Sequence, residues 1–142
     1  VSSHDQAHSM AGPLINLLNA SLQLEYANIV RLPRFRSSIE DQEFARKLEW
    51  LLTDSLRHAE IVMRHIRRLG GEPEWTLAPF PENDSTIDFL KRQQNLEQEM
   101  KGIYENAMPI SDTDELHKDL NGLIASEQNH WALCDDLIRH PA

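Results

Sequence analysis

Glu127 and His130 stand three residues apart inside a stretch that otherwise reads as a buried helix seam. Leu116, Leu120, Leu123, Glu127, His130, Cys134 and Leu137 follow one another in alternating steps of four and three, the spacing of a stripe packed inside a helical bundle. Glu-x-x-His places both side chains next to one another on one face. Leaving a lone carboxylate in such a seam costs several kcal/mol, on the order-of-magnitude scale, so the pair demands a partner. A metal ion satisfies an acid and an imidazole together.

Three other stretches carry the same interruption. Glu25 breaks the stripe Leu14, Leu18, Leu22, Ile29, Leu32; Ser55, His58 and His65 break the stripe Phe44, Leu48, Leu51, Val62, Leu69. Glu97 falls on a line with Leu90, Met100, Tyr104 and Ala107, with Gln93 or Gln94 one turn earlier. If these polar seam residues are to meet the Glu127/His130 pair, four helices must bring them to one height.

The breakers and caps supply four helices. Val1–Gly12 is a polar, flexible lead-in, and Pro13 suits the first turn of a helix that runs to Leu32. His4 and His8 lie in that lead-in, and the expectation is that they do nothing specific. Pro33 ends or kinks the helix, and Arg34–Ser38 form the turn. Ser38-Ile39-Glu40-Asp41 resembles a capping box that opens a second helix, which Gly70, Gly71 and Pro73 stop after Leu69. Gly70–Asn83 is too rich in Gly and Pro for a helix; fully extended at about 3.3 Å per residue it reaches ~45 Å, the length of a long helix. A third helix runs from about Ser85 to before Pro109, and Ser111 or Asp112 caps a fourth that ends near Leu137.

Height can be tested by arithmetic. The midpoint between Glu97 and the Glu127/His130 pair falls at about residue 113, next to the expected turn Pro109–Asp112. The midpoint between Glu25 and the Ser55/His58 pair falls at about residue 41, whereas the expected turn is centred near residue 36. The mismatch requires the first helix to continue past Pro33 or the second to begin nearer Asp41.

The order helix, turn, helix, crossover, helix, turn, helix predicts an all-α four-helix bundle in one domain, with one long crossover between the second and third helices. Hydrophobic residues at 40% and aromatics at 6% suit such a bundle better than a β-sandwich. A formal net charge of −9 without a basic cluster disfavours nucleic acid as a partner. The lone Cys134 excludes a disulfide framework within the chain and a multi-thiolate metal site; its simplest reading is a small buried residue. With no apolar leader in Val1–Gly12 and no run of about 18 apolar residues, the expected setting is cytoplasmic and away from the membrane.

Several motifs now combine. Leu18-Asn19-x-x-Leu22-x-x-Glu25, His58-Ala59 followed by Arg67-Arg68-Leu69-Gly70-Gly71-Glu72-Pro73, Glu97 with Tyr104 seven residues on, and Glu127-x-x-His130 together resemble the four helices of bacterioferritins and other ferritin-like proteins. The resemblance implies a dinuclear iron centre held by Glu25, His58, Glu97, Glu127 and His130, an oxidoreductase reaction of the ferroxidase or peroxidase type, in which Fe(II) is oxidised by O2 or peroxide, and assembly as a homo-oligomer, a dimer or larger. Tyr104 would donate a hydrogen bond to a ligand or act as a radical sink; a core filler is the plainer alternative.

The family pattern breaks at Ser55, where ferritin-like proteins have a Glu bridging both metals. Asp54 is the nearest substitute, but it points about 100° away on the helix and would need a π-bulge or a local rotation to reach the site. Water in that place would leave an asymmetric or single-ion centre. Leu56 stands where haem-binding bacterioferritins have a Met, so no haem is expected, and paired cysteines for a rubredoxin module are lacking. The short fifth helix of the bacterioferritin cages is also missing, which weakens the expectation of a storage shell. His65 is expected to be a packed histidine bonded to a carboxylate, Trp50, Trp75 and Trp131 core or interface fillers, and Glu60 and Glu99 solvated. The alternative function is a metal-free bundle acting as a dimerisation or partner-binding module. It requires three carboxylates and two imidazoles to satisfy one another. An oxygenase acting on an organic substrate would need an apolar pocket opening onto the site.

Overall fold

α1 spans Ser3–Arg36 and α2 Gln42–Arg68 in the computed structural model, which describes residues 3–79 and 85–140, with side chains from residue 11 onward. α3 (Thr86–Ala107) follows the crossover, and a 3-10 turn, Met108–Ile110, leads into α4 (Asp114–Arg139). No strand occurs among the described residues. α1 and α2 pair through the short 37–41 turn and α3 and α4 through 108–113, giving the expected four-helix bundle with one crossover between its halves.

The helix boundaries depart from expectation where a stronger cap intervenes. α1 passes Pro33 and ends at Arg36; Pro33 is exposed on the outside of the helix and removes one backbone donor without stopping it. Ser38 does not cap α2, because its hydroxyl donates to the Phe35 carbonyl at 2.7 Å. Asp41 takes that place and accepts from the Phe44 amide at 2.8 Å. The turn thereby moves to the height that Glu25 and His58 require. In α4 the cap is Thr113, accepting from the Leu116 amide at 3.1 Å. Ser111 is turned to the Met108 carbonyl and Asp112 to Arg68. At the other end α1 begins at Ser3 rather than Pro13, so the expected flexible lead-in is helical from that residue on. The side chains of His4 and His8, and the crossover residues 80–84, lie outside the described residues.

The end of α2 is built as the glycines predict. Gly70 adopts φ 88°, and the Gly71 amide donates back to the Ile66 carbonyl at 2.9 Å, closing a Schellman cap. A Cβ on Gly71 would meet Ile15 Cγ2 at 2.8 Å, so the glycine also lets the chain start its crossover flush against α1. Asn19 then guides that crossover, donating to the Glu72 carbonyl at 3.1 Å and accepting from the Glu74 amide at 2.9 Å. Trp75 stacks on Tyr26, centroids 5.6 Å apart.

Two apolar layers fill the bundle. One holds Leu14, Leu18, Leu22, Val62, Ile66, Met100, Leu116 and Leu120; the other holds Leu32, Phe44, Leu48, Leu51, Phe89, Leu90 and Leu137. Between them lies a buried polar belt: Glu25, Asn28, Ser55, His58, Gln93, Glu97, Glu127 and His130.

Candidate metal centre

Each helix delivers its polar residue to the belt because the flanking turns are apolar and fix its rotation. All seven seam residues of α4, Leu116 to Leu137, are buried, and in α3 the buried amide is Gln93 and not Gln94. Glu25, His58, Glu97, Glu127 and His130 are each no more than 1% exposed.

Their contacts resolve into two triads. His58 Nδ1 lies 3.0 Å from Glu25 Oε2 and 2.8 Å from Glu127 Oε1. His130 Nδ1 lies 3.4 Å from Glu97 Oε2 and 3.8 Å from Glu127 Oε2. Glu25, His58 and Glu127 form one group, and Glu97, Glu127 and His130 the other, each with ligand atoms within 4.8 Å of one another. Glu127 belongs to both. The two imidazoles face one another, centroids 5.7 Å apart and inclined by 22°.

Burial and charge set the protonation of these groups without metal. Burial disfavours charged His58, but hydrogen bonds to Glu127 and Glu25 outweigh it and lift the imidazole to about 9. His130 is lifted to about 11, its neighbours Glu127 and Glu97 overcoming the same burial. Burial raises Glu25, and burial together with the charge on Glu127 raises Glu97. Protons on the two imidazoles thus stand where a cation would.

The protons do not satisfy everything. Glu25 Oε1 and Glu127 Oε2 are buried with no hydrogen-bond partner among the described residues. Two orphaned carboxylate oxygens, one in the first triad and one on the shared Glu127, cost about 1–3 kcal/mol each or more when charged. A metal ion in each triad would satisfy them, so the residues present fit the cation. Carboxylate oxygens with two imidazoles suit Fe or Mn.

Ser55, at the sixth position, is 1% exposed and accepts a long bond of 3.4 Å from Asn28 Nδ2. Asp54 does not take the place of the missing Glu in either triad. α2 runs through this region as uninterrupted α-helix, without the bulge that substitution would need. Asp54 Oδ2 instead meets His130 Nε2 at 2.8 Å, on the nitrogen that is turned away from Glu97, and Oδ1 meets Arg57 at 3.2 Å. Tyr104 is fully buried and donates to Glu25 Oε2 at 3.3 Å; burial holds its phenol well above the ordinary range.

Residues outside the triads fall as expected in several cases. His65 is a packed histidine, 2.7 Å from Asp119 Oδ2, with Arg68 on its other nitrogen. It does form a third possible cluster with Glu115 and Asp119, but Arg64 pairs with both acids there. Cys134 is buried beside Leu137 and Leu90, with its thiol pushed up by burial, and belongs to neither triad. Trp50 and Trp75 are 45% and 77% exposed, so neither fills the core. Asn28 and Arg31 went unrecognised in the sequence: Asn28, three residues beyond Glu25, shares its face and had that spacing as its signal, whereas Arg31, six residues beyond, lies about 120° around the helix.

No family model matches the chain, and no curated protein matches it. Solved structures do. A ferritin-like, diiron-carboxylate protein from Bacillus anthracis is 24% identical, with a TM-score of 0.85 over 97% of this chain and 99% of that one. The Desulfovibrio desulfuricans bacterioferritin is 20% identical, with a TM-score of 0.82 over 94% of this chain and 82% of that one. A dodecameric thioferritin from Bacteroides fragilis is 17% identical, with a TM-score of 0.79 over 91% and 86%. The chain has the ferritin-like fold.

Proposed function

We propose that the chain is a non-haem iron protein, binding one ion in each triad with Glu127 shared between them, and that it oxidises Fe(II) with O2 or peroxide. The observation that carries this reading is the pair of buried carboxylate oxygens without partners, set in two triads at one level of a ferritin-like bundle. Bound iron would supply the electrons for reducing the oxidant. Glu25 and His58 would hold one ion, Glu97 and His130 the other. Asp54 would fix the ring of His130, and Tyr104 would orient Glu25. The di-iron and bacterioferritin structures that share this fold support iron as the metal.

Leu56 has no lone pair with which to ligate haem, which supports a non-haem protein. Assembly as a homo-oligomer is part of the proposal. It draws support from the dodecameric relative and from the exposed Val30, Leu56, Trp75 and Leu77. The test is Fe(II) consumption under air or with added peroxide, compared between the wild type and Glu25→Ala. Oxidation above the protein-free rate that falls in the variant supports the reading; equal rates end it.

A metal-free bundle acting through its surface is the second reading, motivated by Ser55 and by the short bonds from His58 to Glu25 and Glu127. It expects a melting temperature indifferent to chelator and to added Fe(II) or Mn(II).

A further inference from the structure

A chain of buried amides runs from the centre to a buried cation. Arg31 is 4% exposed, its guanidinium 4.5 Å above the ring of Phe89. Its Nη1 donates to Gln93 Oε1 at 2.9 Å. Gln93 Nε2 donates to Asn28 Oδ1 at 3.0 Å and to Glu97 Oε1 at 2.7 Å, and Asn28 Nδ2 donates to Ser55 Oγ at 3.4 Å. Arg31, Gln93, Asn28 and Ser55 belong to neither triad; Glu97, where the chain ends, belongs to the second.

The chain has a direction, and Arg31 sets it. An amide can be turned end for end, but a guanidinium has donors only. With Arg31 in place, Gln93 must present its oxygen to the guanidinium and its NH2 to Glu97. Reversing Gln93 would set donor against donor at Arg31 and acceptor against carboxylate at Glu97. One oxygen of Glu97 is therefore held away from the triad, and Oε2 alone faces His130. Glu25 has no such anchor: its Oε1 is unpartnered, and Oε2 receives Tyr104. The same chain ends on Ser55, so the neutral amide of Asn28 faces the place where a bridging carboxylate would stand.

We infer that Gln93, with its polarity fixed by the buried Arg31, is the positioning residue for Glu97 and makes the two metal positions unequal, with Glu97 committed through one oxygen to the His130 position. The inference rests on the metal-binding reading above. Its consequence is selective. Losing the anchor should weaken one position and leave the other alone, because among the described residues Glu25 bonds to His58 and Tyr104, and His58 to Glu25 and Glu127, while Gln93 bonds to Glu97. Partners of this kind behind a ligand are worth about 10–100-fold in metal affinity.

The test is titration of the chelated protein with Co(II) alone, followed by visible absorption, for the wild type, Gln93→Leu, Arg31→Met and Arg31→Lys. The expected result is two uptake steps in the wild type. In Gln93→Leu and Arg31→Met one step weakens about 10–100-fold and changes its band intensity while the other holds. Arg31→Lys, still a donor-only cation, keeps both steps and serves if Arg31→Met does not fold. Steps that weaken together, or do not change, overturn the inference while leaving metal binding intact. A wild type that takes up no Co(II) overturns the metal-binding reading itself.

Discussion

His130 divides its two nitrogens between two carboxylates: Nδ1 turns toward Glu97 at 3.4 Å, and Nε2 meets Asp54 Oδ2 at 2.8 Å. A carboxylate on the far nitrogen of a ligating imidazole fixes the ring and its tautomer and raises its basicity. Asp54→Ala should therefore lower metal affinity about 10–100-fold without removing a ligand, as read by competition with a coloured chelator. Asp54→Glu, if its longer arm keeps the contact, should recover part of that loss.

The metal-free protein should lose stability as pH rises. His58 has a folded value of about 9, above its ordinary 6.5, so its contribution is fully present below about 6.5 and is lost as pH climbs through about 9. Glu97, also raised, acts in the same direction at lower pH. Metal binding has the opposite trend, since both imidazoles must give up protons to it. Thermal melts of chelated protein should fall from pH 6 to 9, and the stabilisation on adding Mn(II) should grow across the same window.

Ser55→Glu should change the centre by adding the carboxylate that ferritin-like sites place there. Asn28 occupies the adjoining space, so the single substitution is overpacked, costing about 1–3 kcal/mol. Paired with Asn28→Ala it should regain stability and bind metal more tightly than the wild type. Calorimetry of the two variants checks both halves.

The α1–α2 turn places Glu25 opposite His58, and Asp41 defines it. Asp41→Ala should cost about 0.5–2 kcal/mol in denaturant unfolding. Ser38→Ala, which removes only the bond to the Phe35 carbonyl, should cost less.

Seam spacing revealed most of the architecture. Four stripes interrupted by Glu25, His58, Glu97 and Glu127/His130 are enough to require four helices meeting at one height. Caps were harder to place, because neighbouring polar residues compete for the same amides: Ser38, Asp41, Ser111, Asp112 and Thr113 all have suitable side chains. Asp112 was lost to a bidentate pair with Arg68, a partner 44 residues away that no local pattern discloses. Asp54 posed a related problem. Its position on the helix shows that it points away from Ser55, but only the packing of α2 beside α4 shows that it meets His130 from behind. Gln93 already stood on the seam line of α3 as one of two candidates, but its role was hidden because it depends on Arg31, 62 residues away.

Metal content per chain is the most direct test of two triads sharing Glu127. Protein purified from iron-supplied cells is assayed by elemental analysis beside Glu127→Ala, with a sizing column to fix the amount of folded protein. The account predicts about two ions per chain in the wild type, one per triad, and loss of both in the variant, since each triad contains Glu127. Near-zero metal in both proteins, or equal metal in both, would contradict it.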